Sequence, residues 1–475
     1  MDFFRRELAQ QTTECSVMRQ VGGRTGIMAC ALAVPLAACA VYAPEPLADR
    51  PDLRQSVAQL AVAADRLPLR EVGSHRFDLR RPLDIDDVAM IAIAHNPDLK
   101  AARRRIGVAE AQVFAAGILP NPQLSLDYAF LTGGPGTTDA VMAGLAQDVV
   151  PLLTLSSRRE AARASAASVE LTVAWLEWQT VSRARTLFVD AVSLARQRRL
   201  VDETYRLLDA RYERAAAAMR RGDQTLPTVT SDLVAMNAAE TQLNEIDQLI
   251  LKNRHDLNAL LGLVPDAPLR LDENIALPAI DLTRLAPALM DLASRRPDLL
   301  ALRIGYEAQE QQVRQAIIEQ FPKLSIGSNF ARDTTDVRSQ SIALTVSIPV
   351  FDRNQGNIAI QDASREQLHE EYQARLDAAF GEAKRLVTEL RLLESQYGAS
   401  IASVQRLREA VGEAEPAFRA GNLDERSFVD LQTSLLAKEL ATAKLEQGIL
   451  QQRILLQTLV GSRLPDRHHN LPRMP

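Results

Sequence analysis

Cysteine is nearly absent: the 475 residues hold three, Cys15, Cys30 and Cys39, all near the N-terminus. Nothing after residue 39 can build a disulfide framework or a thiolate metal site. Aromatic residues make up only 4% of the chain while Ala, Leu, Arg, Glu and Gln dominate, a balance that favours long helices over a compact mixed core. The net charge is -5 and no basic stripe carries interleaved aromatics, so the electrostatic footprint of a nucleic-acid binder is missing. Beyond residue 39 no segment reaches the roughly 18 consecutive apolar residues of a transmembrane helix. A membrane role must therefore come from lipid or from strands.

Catalytic signatures are missing too. G-x-S-x-G, H-E-x-x-H, the P-loop and C-x-x-C do not occur. "GGPG" at 133–136 lies between two strand patterns with no helix start behind it, which makes it a hairpin loop and not a phosphate cradle. The histidines are scattered, and the adjacent His468 and His469 lack partners at ligand spacing. No enzyme activity, no catalytic residue, no cofactor and no metal site is expected.

What is present begins with a leader. Residues 24–39, "RTGIMACALAVPLAAC", place an apolar run too short to span a bilayer behind Arg19 and Arg24, the layout of a signal peptide over 1–38. Translation starts at Met1 or at Met18, which opens a more ordinary leader. The closing "LAAC" is similar to the bacterial lipobox, so Cys39 is the expected lipid attachment site; the other reading makes it one more small residue of the leader. Residues 39–83 are then a lipidated, extended N-terminal segment.

The rest of the chain is one unit written twice. "NPDLKAARRRIGVAEAQV" at 96–113 returns as "RPDLLALRIGYEAQEQQV" at 296–313, "NPQLS" at 121–125 as "FPKLS" at 321–325, and "VVPLL" at 149–153 as "SIPVF" at 347–351. "MRRG" ending at Gly222 pairs with "FRAG" ending at Gly421, and "ALLG" at 259–262 with "TLVG" at 458–461. So many ordered matches at offsets of 198 to 200 define two repeats, 84–262 and 297–461, joined by a linker over 263–296 and followed by a tail over 462–475. In each repeat Pro then Asp opens a helix, over 97–117 and 297–319. A strand pair follows, at 122–131 and 140–150, then at 323–331 and 339–349. Next come a very long helix, a turn at Gly222 or Gly421, and a returning helix. Residues 156–221 contain neither Gly nor Pro and would span about 100 Å as a helix. Val173, Leu187, Leu194, Val201 and Leu208 share one heptad position, which predicts coiled-coil packing.

The strands alternate strictly. Leu124, Leu126, Tyr128 and Phe130 oppose Gln123, Ser125, Asp127 and Ala129; Ile342, Leu344, Val346 and Ile348 oppose Ser341, Ala343, Thr345 and Ser347. Four such strands cannot close alone, and an open edge is forbidden in lipid. The alternatives are two hairpins packed on a soluble core, or four strands from each of three chains closing a 12-stranded transmembrane barrel with a polar lumen. The expected fold class is mainly α with a small β part: a tandem-repeat helical barrel of long coiled-coil helices plus that shared β-barrel.

With a lipobox and two helix–strand–strand–long helix–turn–helix repeats, the chain resembles the TolC family of trimeric outer-membrane efflux channels. The residues that carry the resemblance are the NPDL and RPDL openings, the PNPQLSL and FPKLSI strand starts, and "FRAGNLDERSFVDLQTSLL" at 418–436, where Ser427 stands in place of the motif's usual leading Asp. It covers roughly residues 84–461. The resemblance implies a passive conduit across periplasm and outer membrane, working with a periplasmic adaptor and an inner-membrane efflux pump. Drug, metal and other solute export stay open; "LPNP" is reminiscent of heavy-metal efflux members. It also implies an adaptor-contacting tip at Arg221, Gly222, Asp223, Gly421 and Asn422, and a constriction near Asp430, with Asp424 and Arg426 helping to hold it closed. Asp430 is either a ring of three carboxylates in a trimer or a solvated helix position. Two other assignments share these features: an outlet for type I protein secretion, and a lipid-anchored periplasmic coiled-coil adaptor or scaffold.

Overall fold

The structure, a computed structural model, describes residues 42–60, 81–277 and 291–461. The leader, Cys39 and the tail lie outside the described residues. The chain forms two compact units, Met1–Asp52 and Leu53–Pro475. Residues 42–52 of the first form no regular element, and all described helices and strands lie in the second.

Each repeat follows the same order. The first runs α1 (Ile85–His95), α2 (Pro97–Ala116), β1 (Gln123–Ala129), β2 (Ala140–Asp148), α3 (Val150–Leu153), α4 (Leu155–Arg220) and α5 (Leu226–Leu261). The second runs α6 (Leu292–Arg295), α7 (Pro297–Ile318), β3 (Lys323–Arg332), β4 (Arg338–Ser347), α8 (Gln355–Arg419) and α9 (Glu425–Val460). β2 stops two residues before the expected 150, because Pro151 pre-organises a helical first turn and cannot donate to a ladder.

Local signals explain the ends. Asn96 caps α2 by accepting the Leu99 N–H at 2.9 Å, while its amide donates to the Leu260 carbonyl at 3.0 Å and ties the two ends of the first repeat together. The C-terminal carbonyls of α2 are held from the start of the long helix, where Arg158 donates to Ala116 and Ile118 at 3.0 and 3.1 Å. In the second repeat Asn354 does the same for Ala316 at 2.8 Å. Helix α1 escaped the sequence reading, as did the short α3 and α6: α1 opens with a capping box between Asp84 and Asp87, and its Ile85, Val88, Ile91 and Ile93 are buried.

The heptad stripe is buried as its spacing predicts: Val173, Leu187, Leu194, Val201 and Leu208 all face inward from α4. Each such side chain contributes on the order of 1.5–3 kcal/mol. The main core gathers at mid-height of α4, where Phe188 and Leu187 meet α1, Leu257 and Leu261 of α5, and the linker's Leu263 and Ala267. The second repeat builds a matching cluster from Leu386 and Leu390 of α8 with Leu456 and Leu459 of α9. Helix α9 also lies along α4, so the two repeats share one framework.

The four strands form one antiparallel sheet in the order β1-β2-β3-β4, leaving β1 and β4 as open edges. Register puts Leu124 opposite Leu145, Leu126 opposite Ala143, Ile326 opposite Leu344 and Leu324 opposite Val346 on one face. The other face pairs Ser125 with Gly144, Asn329 with Ser341 and Ser325 with Thr345. Gly327 sits where β2 and β3 approach closest; a Cβ there would lie 2.7 Å from the Leu145 carbonyl oxygen.

Candidate functional site

Both long helices end in the same device. Gly222 and Gly421 adopt φ of 87° and 74°, the left-handed region open to glycine. The Gly222 N–H donates to the Met219 carbonyl and the Asp223 N–H to Ala218, both at 2.9 Å; Gly421 donates to Phe418 at 3.0 Å and Asn422 to Ala417 at 2.8 Å. This is the Schellman arrangement in both repeats, reversing the chain within a few residues. Arg221, Gly222, Asp223, Gly421 and Asn422 lie at these turns, all of them exposed, and Arg221 pairs with Asp223 at 3.2 Å.

The turns lie side by side around a cavity of about 450 Å³ lined in part by Arg211, Arg214, Arg221, Asp424 and Glu425. Within it an ion network crosses from one repeat to the other. Arg426 of α9 donates from Nη2 to both oxygens of Asp232 on α5, at 2.7 and 2.8 Å. Arg211 of α4 places Nε 3.1 Å from the same carboxylate and pairs through Nη1 with Asp430 of α9. Arg214 pairs with Glu425. Asp232 is 1% exposed and Arg211 is 9%, so the centre of the network is out of water. Phe418 stacks on the buried Phe428 with centroids 4.7 Å apart, clasping the end of α8 to the start of α9.

Of the three residues expected at a constriction, Arg426 and Asp430 are thus joined through Asp232 and Arg211. Asp430 is 58% exposed yet carries an arginine partner, an arrangement that neither sequence reading of it included. Asp424 has a different task. It is the N-cap of α9, accepting the Ser427 hydroxyl at 2.6 Å and the Ser427 N–H at 2.9 Å. Those two bonds hold its carboxyl below the usual carboxylate range, the hydroxyl first. Arg211 and Asp232 were missed because nothing in their local sequence marks them; their partners lie far away along the chain.

A second surface is set by the sheet. Its apolar face is open, with Leu124, Leu126, Tyr128, Ile342 and Leu344 all exposed, and its other face is mainly polar, with Met142 its one large apolar residue among the paired positions. A contiguous exposed apolar surface of this size needs a cover, whether a partner or a membrane.

Comparison with known proteins follows the same geometry. Residues 288–462 match the family model described as outer membrane efflux protein. The chain is 24% identical over 405 residues to the pyoverdine export outer membrane protein OpmQ of Pseudomonas putida, covering 80% of this chain and 86% of that one. It is 27% identical over 356 residues to the cobalt-zinc-cadmium resistance protein CzcC of Cupriavidus metallidurans, covering 72% and 79%. Among solved structures it resembles the outer membrane protein VceC of Vibrio cholerae, with TM-score 0.65 at 19% identity over 80% of this chain and 96% of that one. It also resembles the CmeC outer membrane channel of Campylobacter jejuni, with TM-score 0.67 at 15% identity over 81% and 87%.

Proposed function

Because the chain belongs to the outer membrane efflux protein family, we propose that three copies assemble into a passive outer-membrane channel, the outer component of a tripartite efflux system. The observation that carries this reading is the sheet: two open edges, one mainly apolar face without cover, and one mainly polar face that includes Ser125, Asp127, Asn329, Ser341 and Thr345. An open edge cannot sit in lipid, and the smallest usual membrane barrel needs about eight strands. Three copies supply twelve. The β4 edge of one then pairs with the β1 edge of the next, apolar face outward and polar face on the lumen.

The repeats support the same assembly. Helix α7 packs along both long helices, α4 and α8, whereas its counterpart α2 lies along α4. By the repeat's own symmetry α2 needs the α8 of a neighbouring copy. Val108 and Phe114 of α2 and Ile360 of α8 are the exposed apolar residues that such a contact covers. The helical turns form the periplasmic tip, where Arg221, Asp223 and Asn422 meet a periplasmic adaptor that docks to an inner-membrane pump. The pump supplies the energy, and this chain performs no chemistry. Cys39 carries lipid. The names of the relatives span a siderophore, metals and drugs, which is consistent with cargo being selected by the pump. A lipid-anchored adaptor or scaffold would have no use for a lipid-facing sheet, which favours the channel.

The test combines three measurements on protein from the outer-membrane fraction. Native mass should be that of a trimer, planar bilayers should show conductance, and carbonate should fail to extract a Cys39→Ala variant. A monomer that loses the membrane on Cys39→Ala is a scaffold, not a channel.

A further inference from the structure

The outward face of the sheet is shorter than the membrane it has to cross. On β3 the outward positions from Leu324 to Phe330, apolar but for Ser328, extend about 20 Å along the strand at about 3.3 Å per residue. A strand tilt of roughly 35–45° leaves about 15 Å along the membrane normal, against an apolar band about 25 Å tall on transmembrane barrels. On β3 and β4 the outer end cannot supply the rest, although Tyr128 and Val141 keep that end apolar on β1 and β2. Beyond Phe330 the next outward positions are Arg332 directly opposite Arg338, and the outward partner of Phe330 on β4 is already Gln340. About 10 Å of band is missing, and it has to be found at the helix end.

The strand roots hold that surface. Ile118 and Leu119 precede β1 as Phe321 precedes β3, and Leu153 follows β2 as Val350 and Phe351 follow β4. All are exposed, Leu153 at 63% and Phe351 at 93%, although such side chains bury readily wherever a protein surface is offered. Their backbone is prepared for a poorly hydrated setting. The Ile118 N–H donates to Ala115 at 3.1 Å, Phe321 to Ile318 at 3.2 Å, Leu153 to Val149 at 3.3 Å and Val350 to Ile348 at 2.9 Å, all within the roots themselves. Exposed arginines follow at once, Arg159 after one root and Arg353 after the other, where they can reach lipid phosphates.

We propose that the four roots form a hydrophobic collar embedded in acyl chains of the inner leaflet of the outer membrane. The lipid-contacting surface then continues past the strands onto α3 and the 348–351 turn. This inference rests on the channel reading, and it adds where the membrane ends on the molecule.

Single tryptophans report it. Leu153→Trp, Phe351→Trp and, as a reference on the strand, Leu344→Trp are reconstituted as full-length assembled protein in phosphatidylcholine vesicles with and without brominated acyl chains. The native Trp175 and Trp178 begin about 30 Å down α4 from Leu155 and give a common background. Brominated lipid should quench the emission of Leu153→Trp and Phe351→Trp about as strongly as that of Leu344→Trp, with aqueous acrylamide sparing all three. Root tryptophans quenched by acrylamide, or by neither reagent, would sit in water or between subunits and overturn the collar, while a quenched Leu344→Trp leaves the barrel standing. An unquenched Leu344→Trp overturns the channel reading itself.

Discussion

Asp232 sits at the crossing of three helices, with Arg426 of α9 and Arg211 of α4 both turned onto a carboxylate that water does not reach. Removing it leaves Arg211, itself nearly buried, with only the exposed Asp430 as its partner. The cost of breaking a buried pair that way is on the order of 3–5 kcal/mol, discounted here because Arg426 is 40% exposed and can rehydrate. Asp232→Ala should therefore loosen the first turns of α9 more than it lowers global stability. Hydrogen exchange checks this: amides of 426–430 should exchange faster while those around Leu187 stay protected, and a uniform change would place the network's role elsewhere. Asp424 makes a pH prediction of definite sign. Its folded carboxyl titrates below its ordinary value because Ser427 donates to it twice. Its contribution is complete at neutral pH and is lost as pH falls through the folded value, below the ordinary aspartate range. The start of α9 should fray over that window. Asp424→Asn, which caps without titrating, should abolish the pH dependence of Ser427 amide exchange; an unaltered profile would trace the fraying to another group.

Strands β1 and β4 were legible in sequence because strict alternation at period two puts every second side chain on one face of a strand, a pattern no helix reproduces, and the duplicated motifs located β2 and β3. The Schellman glycines were legible for a similar reason, since a glycine after an unbroken helix is a local signal. Helix α1 was not, because its apolar residues run almost continuously and its start is an Asp84–Asp87 box instead of the commoner Ser or Thr. The Arg211–Asp232–Arg426 network was not legible at all: its members share no local pattern, and only packing of α4, α5 and α9 brings them together. The sheet makes the sharpest prediction at this scale. Leu344 shares the apolar face with Ile326, and Thr345 shares the polar face with Ser325. Leu344→Arg should cost about 2–4 kcal/mol near the bilayer midplane and less toward the rims. Thr345→Arg, one residue along on the lumen side, should cost far less. Urea titration of protein in lipid vesicles measures both, and equal costs would contradict the two-faced sheet.

In the proposed trimer the tip network would be repeated three times around one axis, and this changes what Asp430 could do. A ring of three bare carboxylates in a narrow opening repels itself over a distance comparable to the Debye length, about 8 Å at physiological salt, and so attracts cations. Here each Asp430 carries Arg211 from its own chain, so the ring is muted and its charge depends on a partner nearly buried between helices. The two residues therefore have opposite effects on conduction. Asp430→Ala removes the exposed carboxylate and leaves Arg211 and Arg426 on Asp232 alone, and should lower cation preference and weaken block by divalent ions. Arg211→Ala frees the carboxylates, and should raise cation preference and strengthen divalent block, provided the loosened tip still narrows the tunnel. The double variant separates charge from opening: it should return selectivity toward that of the parent while keeping any conductance increase caused by the broken network. Reversal potentials in planar bilayers under a salt gradient read the sign directly. If both single variants leave selectivity unchanged while conductance rises, the pair is a clasp alone and the selective narrowing lies elsewhere along the tunnel.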